Sequence, residues 1–185
     1  QAPEYGGDGK KIAIDQTYTN PLAAFPAHWA PNDLLFYTGN QFPDRYKNGA
    51  FVAFHGSTNR GPYPQAGYIV AFVPFENGKP SGEWEVFADG FAGVDTIVNV
   101  SDAKYRPMGL AEGPDGSLYV NDSKKGKIWR ILYKEDKSKF NPSALAKMEI
   151  RKNTANNIKN PDPVKNIIQL KYSKIGAQIY QTYCT

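Results

Sequence analysis

The chain has 185 residues, 41% of them hydrophobic and 22% charged. That balance excludes a disordered polyelectrolyte and leaves room for one domain or one and a half. No run approaches the ~18–20 apolar residues that a bilayer crossing needs, and the polar opening Gln1-Ala2-Pro3-Glu4-Tyr5-Gly6-Gly7 is not a signal peptide. The net charge of +4 hides an asymmetry: residues 1–123 carry 8 Lys/Arg against 14 Asp/Glu, and residues 124–185 carry 14 against 4. The basic half reads as solvated linker and exposed faces. Without a recognition helix or a stacking platform beside the lysines, nucleic acid is not an expected partner.

Residues 1–20 read as loop. Short strand-like runs follow: Leu34-Leu35-Phe36-Tyr37, Ala50-Phe51-Val52-Ala53-Phe54, Tyr68-Ile69-Val70-Ala71-Phe72-Val73 and Trp84-Glu85-Val86-Phe87. Gly109-Leu110-Ala111, Ser117-Leu118-Tyr119-Val120 and Lys127-Ile128-Trp129-Arg130-Ile131-Leu132 continue the pattern. Asn77-Gly78, Asp89-Gly90 and Pro114-Asp115-Gly116 supply the turns between them. Many short, evenly spaced strands predict an all-β fold: a sandwich, barrel or propeller.

An internal repeat narrows that choice. Gly49-Ala50-Phe51-Val52-Ala53 aligns with Gly116-Ser117-Leu118-Tyr119-Val120, and Gly67-Tyr68-Ile69-Val70-Ala71-Phe72 aligns with Gly126-Lys127-Ile128-Trp129-Arg130-Ile131. Repeated strand pairs mark propeller blades. The expectation is a partial β-propeller of about three four-stranded antiparallel blades within residues 1–135, with the remaining blades outside the chain.

Beyond Lys134 the sequence turns polar, with a short predicted helix at Ser143-Ala144-Leu145-Ala146-Lys147-Met148 and a break at Asn160-Pro161-Asp162-Pro163. Residues 136–165 are the expected linker. Ser173 is a predicted N-cap for a helix over 174–184, within a second ordered piece at 166–185.

Three motifs resemble a known family: Ala27-His28-Trp29-Ala30-Pro31, the long segment from Leu35 through Gly49-Ala50-Phe51-Val52-Ala53-Phe54-His55-Gly56 to Arg60, and Tyr105-Arg106-Pro107-Met108-Gly109. Together they resemble the glucose/sorbosone dehydrogenases, over about residues 20–133. The resemblance implies the second half of a six-bladed propeller that binds pyrroloquinoline quinone (PQQ) and oxidises sugars or related alcohols and aldehydes. PQQ carries three carboxylates, so its site needs clustered cations. By resemblance Arg60, Lys104 and Arg106 fall where cofactor-facing basic residues are expected. Lys104 and Arg106 precede a predicted strand and alternate by two, so both side chains could point to one face. His28, Trp29 and His55 are candidates for the sugar pocket, with a packing role the simpler reading for His55. The catalytic His base and the ligands of a calcium ion are expected in missing blades, leaving no metal ligand assigned within this chain.

Cys184 is the single cysteine, so no internal disulfide is available. Gly176, Tyr180 and Cys184 share one face of the predicted helix at a spacing of four, and the pattern resembles the opening helix of a class I cytochrome c. The expected protein is therefore periplasmic or secreted, and passes electrons from substrate through PQQ to a fused haem c or a cytochrome partner. The fragment alone would be inactive. A non-catalytic carbohydrate- or protein-binding propeller and a lactonase-like hydrolase remain as alternatives.

Overall fold

The structure, a computed structural model, describes residues 21–61 and 63–159. It contains nine strands and one α-helix among those residues: β1 Pro31–Phe36, β2 Ala50–Phe54, β3 Ile69–Val73, β4 Phe75–Glu76, β5 Lys79–Pro80, β6 Glu85–Ala88, β7 Pro107–Glu112, β8 Leu118–Asp122, β9 Ile128–Ile131 and α1 Pro142–Thr154.

These strands form a four-stranded antiparallel sheet in the order β1-β2-β3-β6, a three-stranded antiparallel sheet β7-β8-β9, and the small hairpin β4-β5. The aligned repeat thus falls on equivalent strands of two successive sheets, β2 with β8 and β3 with β9. The expectation of about three four-stranded blades is corrected. Trp84-Glu85-Val86-Phe87 supplies the outer strand of the first sheet instead of opening a new one. The segment between β6 and β7 is loop with one 3-10 turn, Val100–Asp102. Neither sheet closes into a barrel among the described residues. The predicted helix 174–184, with Gly176, Tyr180 and Cys184, lies outside them.

Sheet pairing follows from what each face buries. All five residues of β2 and all five of β3 are buried, because apolar side chains occupy both faces of these central strands. One face packs against the second sheet through Tyr37, Phe42, Phe51, Phe72, Leu118 and Val120. Aromatic pairs dominate there, such as Phe51–Phe87 at 4.5 Å and Tyr46–Phe72 at 4.8 Å between ring centroids. The opposite face gathers Trp29, Val52, Phe54, Ile69, Trp84 and Val86 with Ala155 and Ile158. On that same side β1 leaves Leu34 55% and Phe36 52% exposed, beside a hollow that Phe25, Val73 and Phe75 also line.

Polar ties lock β1 beside β7. The Asp33 carboxylate accepts from the Leu110 N–H at 2.7 Å, and Glu112 accepts from the Thr38 N–H at 2.9 Å. The buried Tyr37 hydroxyl donates to the Gly116 carbonyl at 2.8 Å, pinning the turn between β7 and β8. In that turn the Asp115 carboxylate accepts from the Ser117 hydroxyl and pairs with Arg130 from β9, and these bonds hold its pKa down at about 2.

The predicted helix at Ser143–Met148 proves to be longer. Asn141 caps α1 by accepting from the Ser143 N–H at 2.9 Å, and Pro142 occupies the first turn, where its missing N–H costs nothing. The helix lies against β6. Lys152 places its ammonium 4.3 Å from the Trp84 ring centre and donates to the Trp84 carbonyl, while Arg151 binds Asp89 at 2.6 Å.

Candidate functional site

At one end of the two sheets the start of β1, the exit of β2, the start of β7 and the exit of β8 come together, with the starts of β3 and β9 next to them. The register requires this, since Pro31 pairs with Phe54 and Pro107 with Asp122. His55 and Gly56 continue the β2 ladder by one turn of the pattern, donating their N–H groups to the Ala30 and Trp29 carbonyls, each at 3.0 Å.

Backbone strain concentrates here. His28, Ala30 and Tyr68 adopt positive φ of 67°, 55° and 62°, a left-handed conformation that costs a non-glycine residue about 1–3 kcal/mol and persists where surrounding contacts impose it. Gly56 is required outright. Its φ is +89°, and a Cβ there would fall 2.4 Å from the Tyr68 ring.

The loop from His55 to Tyr68 is held from inside. The buried Ser57 hydroxyl donates to Gln65 Oε1 at 2.7 Å and accepts from the Ala66 N–H at 2.8 Å, and the Tyr68 hydroxyl donates to the Ser57 carbonyl at 2.7 Å. Asn157, beyond α1, closes the far side. Its Nδ2 donates to the Gly67 carbonyl at 3.0 Å, and its carbonyl accepts from the Gly67 N–H at 2.8 Å.

Arg106 joins this loop to the second sheet. Its Nε donates to the His55 carbonyl at 3.0 Å and its Nη2 to the Gly56 carbonyl at 2.7 Å, with the guanidinium carbon 5.5 Å from the Tyr68 ring centre. Its own N–H donates to Asp122 Oδ1 at 2.6 Å. Asp122 also accepts from the N–H groups of Lys124 and Lys125 at 3.1 and 2.5 Å. Burial disfavours the charged Asp122, but the N–H donors of Arg106, Lys125 and Lys124 win and lower its pKa. His55 Nε2 lies 2.7 Å from the Ser123 hydroxyl. Burial and, second, the Arg106 charge push the His55 pKa down, so its imidazole is neutral at neutral pH.

The six residues expected at the site therefore divide. Arg106 and His55 meet, with the Arg106 guanidinium on the His55 carbonyl, while Arg60 lies further along the same loop with its guanidinium 5.8 Å from the Tyr63 ring centre. Arg60 is 7% exposed, its Nη1 donates to the Pro64 carbonyl at a long 3.3 Å, and it has no carboxylate partner among the described residues. Burial lowers its pKa. Arg106 is equally buried, but its guanidinium is committed to the protein's own carbonyls.

Lys104 is exposed, with its ammonium 5.5 Å from the Tyr105 ring centre, so the expectation that Lys104 and Arg106 share a face is corrected. The reason is non-local: Lys104 donates its N–H to the Ala92 carbonyl, while the Arg106 guanidinium is held by the His55 and Gly56 carbonyls. His28 is exposed at the same end. Trp29 is not at a pocket surface. It is 1% exposed, edge-on to Phe54 and Trp84, and its indole N–H is buried with no acceptor among the described residues. Sequence reading missed Ser57, Gln65, Tyr68 and Asn157. Only Tyr68 carried a signal, the aromatic following Gly67 at the strand entry.

The sequence model of the TrAA12-like family matches residues 10–134, more than half of the chain and all of both sheets. This chain belongs to the TrAA12-like family. An uncharacterised protein from Borreliella burgdorferi is 33% identical over 112 residues, covering 60% of this chain and 27% of that protein. Two solved structures of Trichoderma reesei Carbohydrate-Active Enzymes Family AA12, a calcium structure and an iodide structure, are 26% identical with a TM-score of 0.44. They cover 61% of this chain and 26% and 27% of those chains. The chain thus spans about a quarter of the length of the relatives it matches.

The TrAA12-like assignment replaces the glucose/sorbosone dehydrogenase resemblance. The fused cytochrome c and its haem c are withdrawn with it. The hairpin and strand-end residues that carried that resemblance describe how β strands turn, which is common ground for many families.

Proposed function

We propose that this chain provides one sector of the cofactor face of a secreted PQQ-dependent carbohydrate oxidoreductase of the AA12 type, with residues 1–135 belonging to that catalytic domain. The TrAA12-like family is related to PQQ-dependent carbohydrate oxidoreductases in general. The observation that carries the reading is Arg60: a buried guanidinium without a carboxylate partner among the described residues, in the loop that follows β2. A buried cation is costly unless an anion meets it. One carboxylate of PQQ supplies that anion, and a guanidinium offers it two parallel donors.

When bound, PQQ would supply an ortho-quinone able to accept, overall, the two electrons and two protons released as a sugar CH–OH becomes a carbonyl. The residues of this chain hold the site. Arg106 fixes the 55–56 backbone, Ser57 and Tyr68 brace the loop that carries Arg60, and Asn157 closes it from behind. His55, whose Nε2 meets the Ser123 hydroxyl, and exposed His28 are side chains of this sector able to hydrogen-bond a sugar hydroxyl. Among the described residues no three His, Cys, Asp or Glu side chains converge.

The fold supports the same reading at a larger scale. Two successive sheets repeat one strand pattern with inner strands β1 and β7 side by side, as blades of a propeller do. No helix among the described residues is long and apolar enough to cross a membrane.

The test is aldose-dependent dye reduction by the complete protein that contains this chain, after incubation with PQQ and calcium. The expected result is turnover that requires PQQ, with His28→Ala and His55→Ala raising KM more than they lower kcat. Absence of a PQQ-dependent signal with any sugar would overturn the proposal.

A further inference from the structure

Outside the candidate site, four lysines cluster at the β8–β9 hairpin and the loop facing it. Lys124 is used internally, donating to the Ser101 carbonyl at 2.8 Å and to the Ala103 carbonyl. The other three converge on one ring. The ammonium groups of Lys104, Lys125 and Lys127 lie 5.5, 5.6 and 5.2 Å from the Tyr105 ring centre, and Lys127 lies 5.8 Å from that of Trp129.

This convergence is built by the backbone. Asp122 accepts two N–H bonds from the hairpin tip, Gly126 turns it at a φ of 67°, and Lys104 is anchored through its N–H to Ala92. All three lysines are exposed, and none has a carboxylate partner among the described residues. Tyr105 attracts each of them, yet three like charges around one ring repel one another. An anion placed among them relieves that repulsion.

Next to the lysines is a hollow of about 370 Å³, lined chiefly by Phe91, Tyr105, Trp129 and Ile131. Its volume is in the range of small-molecule sites. Tyr105 and Phe91 both meet Trp129 edge-on, at 5.1 and 5.0 Å, so the walls are rigid aromatic edges and faces. Asp89, the carboxylate on this hollow, is already neutralised by Arg151 at 2.6 Å. Aromatic walls suit the C–H face of a pyranose ring. The three ammonium groups gathered at Tyr105, a wall of the hollow, suit a carboxylate.

We propose that this hollow binds a carboxylated sugar, the uronate unit of an acidic oligosaccharide, with Lys104, Lys125 and Lys127 holding the carboxylate and the Tyr105–Trp129 wall receiving the ring. The site stands apart from the cofactor reading and requires neither PQQ nor turnover. Calorimetric titration with an α-1,4-linked galacturonate trisaccharide, its methyl ester and a triglutamate peptide tests it, because the ester removes the charge and the peptide removes the ring. The trisaccharide should bind at least about tenfold more tightly than either control. Lys125→Gln/Lys127→Gln should lose that advantage while keeping the wild-type melting temperature. Equal binding of the ester would overturn the role of charge, and equal binding of triglutamate would reassign the patch to acidic peptides. If the lysine variant does not fold, the two controls on the wild-type protein still decide the matter.

Discussion

At the scale of single residues, Arg106 and His55 carry the sharpest expectations. Arg106 satisfies the His55 and Gly56 carbonyls and stacks on Tyr68, so Arg106→Met removes two charge-assisted hydrogen bonds inside the protein and leaves those carbonyls unmet. The expected cost is about 2–4 kcal/mol by urea denaturation. A loss below about 0.5 kcal/mol would show that the guanidinium is a surface charge. The lowered His55 pKa means that the folded chain takes up that proton later than the unfolded chain, whose imidazole titrates near 6.5. Protons therefore favour unfolding, and stability falls as the pH drops below about 6.5. His55→Gln should flatten the stability profile between about pH 7.5 and 5. An unchanged slope in the variant would contradict the assignment.

At the scale of elements, Asp122 is the joint on which β7, β8 and the hairpin tip depend. Its carboxylate accepts from the N–H groups of Arg106, Lys124 and Lys125. Asp122→Ala should destabilise by about 2–3 kcal/mol and speed amide exchange at residues 106, 124 and 125. Unchanged exchange there would remove Asp122 from this role.

The strands themselves were legible in the sequence. Apolar runs of four to six residues between Gly and Asn turns can do little else, and the Gly49/Gly116 and Gly67/Gly126 repeat reported equivalent strands before any coordinates. What escaped was non-local. That Trp84–Phe87 joins the first sheet depends on burial of Val86 against Trp29, Ile69 and Ala155, partners up to about seventy residues away. Trp29 beside His28 and Pro31 reads as a pocket aromatic, yet a fully buried indole is decided by packing with Phe54 and Trp84. Lys104 and Arg106 diverge because non-local bonds set them, Lys104 through its N–H to Ala92 and Arg106 through its guanidinium to the His55 and Gly56 carbonyls. The loop brace of Ser57, Gln65 and Asn157 has no local pattern, since its bonds join residues up to 90 positions apart.

At the scale of the whole molecule, the first sheet is apolar on both faces, and only one is covered by the second sheet. Leu34 and Phe36 project from the other, beside a hollow shared with Phe25, Val73 and Phe75. The proposed propeller would set a neighbouring blade against that face. In the complete protein Leu34→Asp should then cost about 2–4 kcal/mol of stability. A change within about 0.5 kcal/mol would mark Leu34 as an ordinary surface leucine and deny the face a neighbour.

The central claim is that this end of the two sheets meets the carboxylates of PQQ, with Arg60 as the buried cation. Equilibrium titration of PQQ into the wild-type protein and into Arg60→Gln, followed by the quinone absorbance, tests it most directly. The account predicts binding at least about tenfold weaker in Arg60→Gln, with Lys104→Gln within about twofold of wild type. Equal affinity of the wild-type and Arg60→Gln proteins would contradict it.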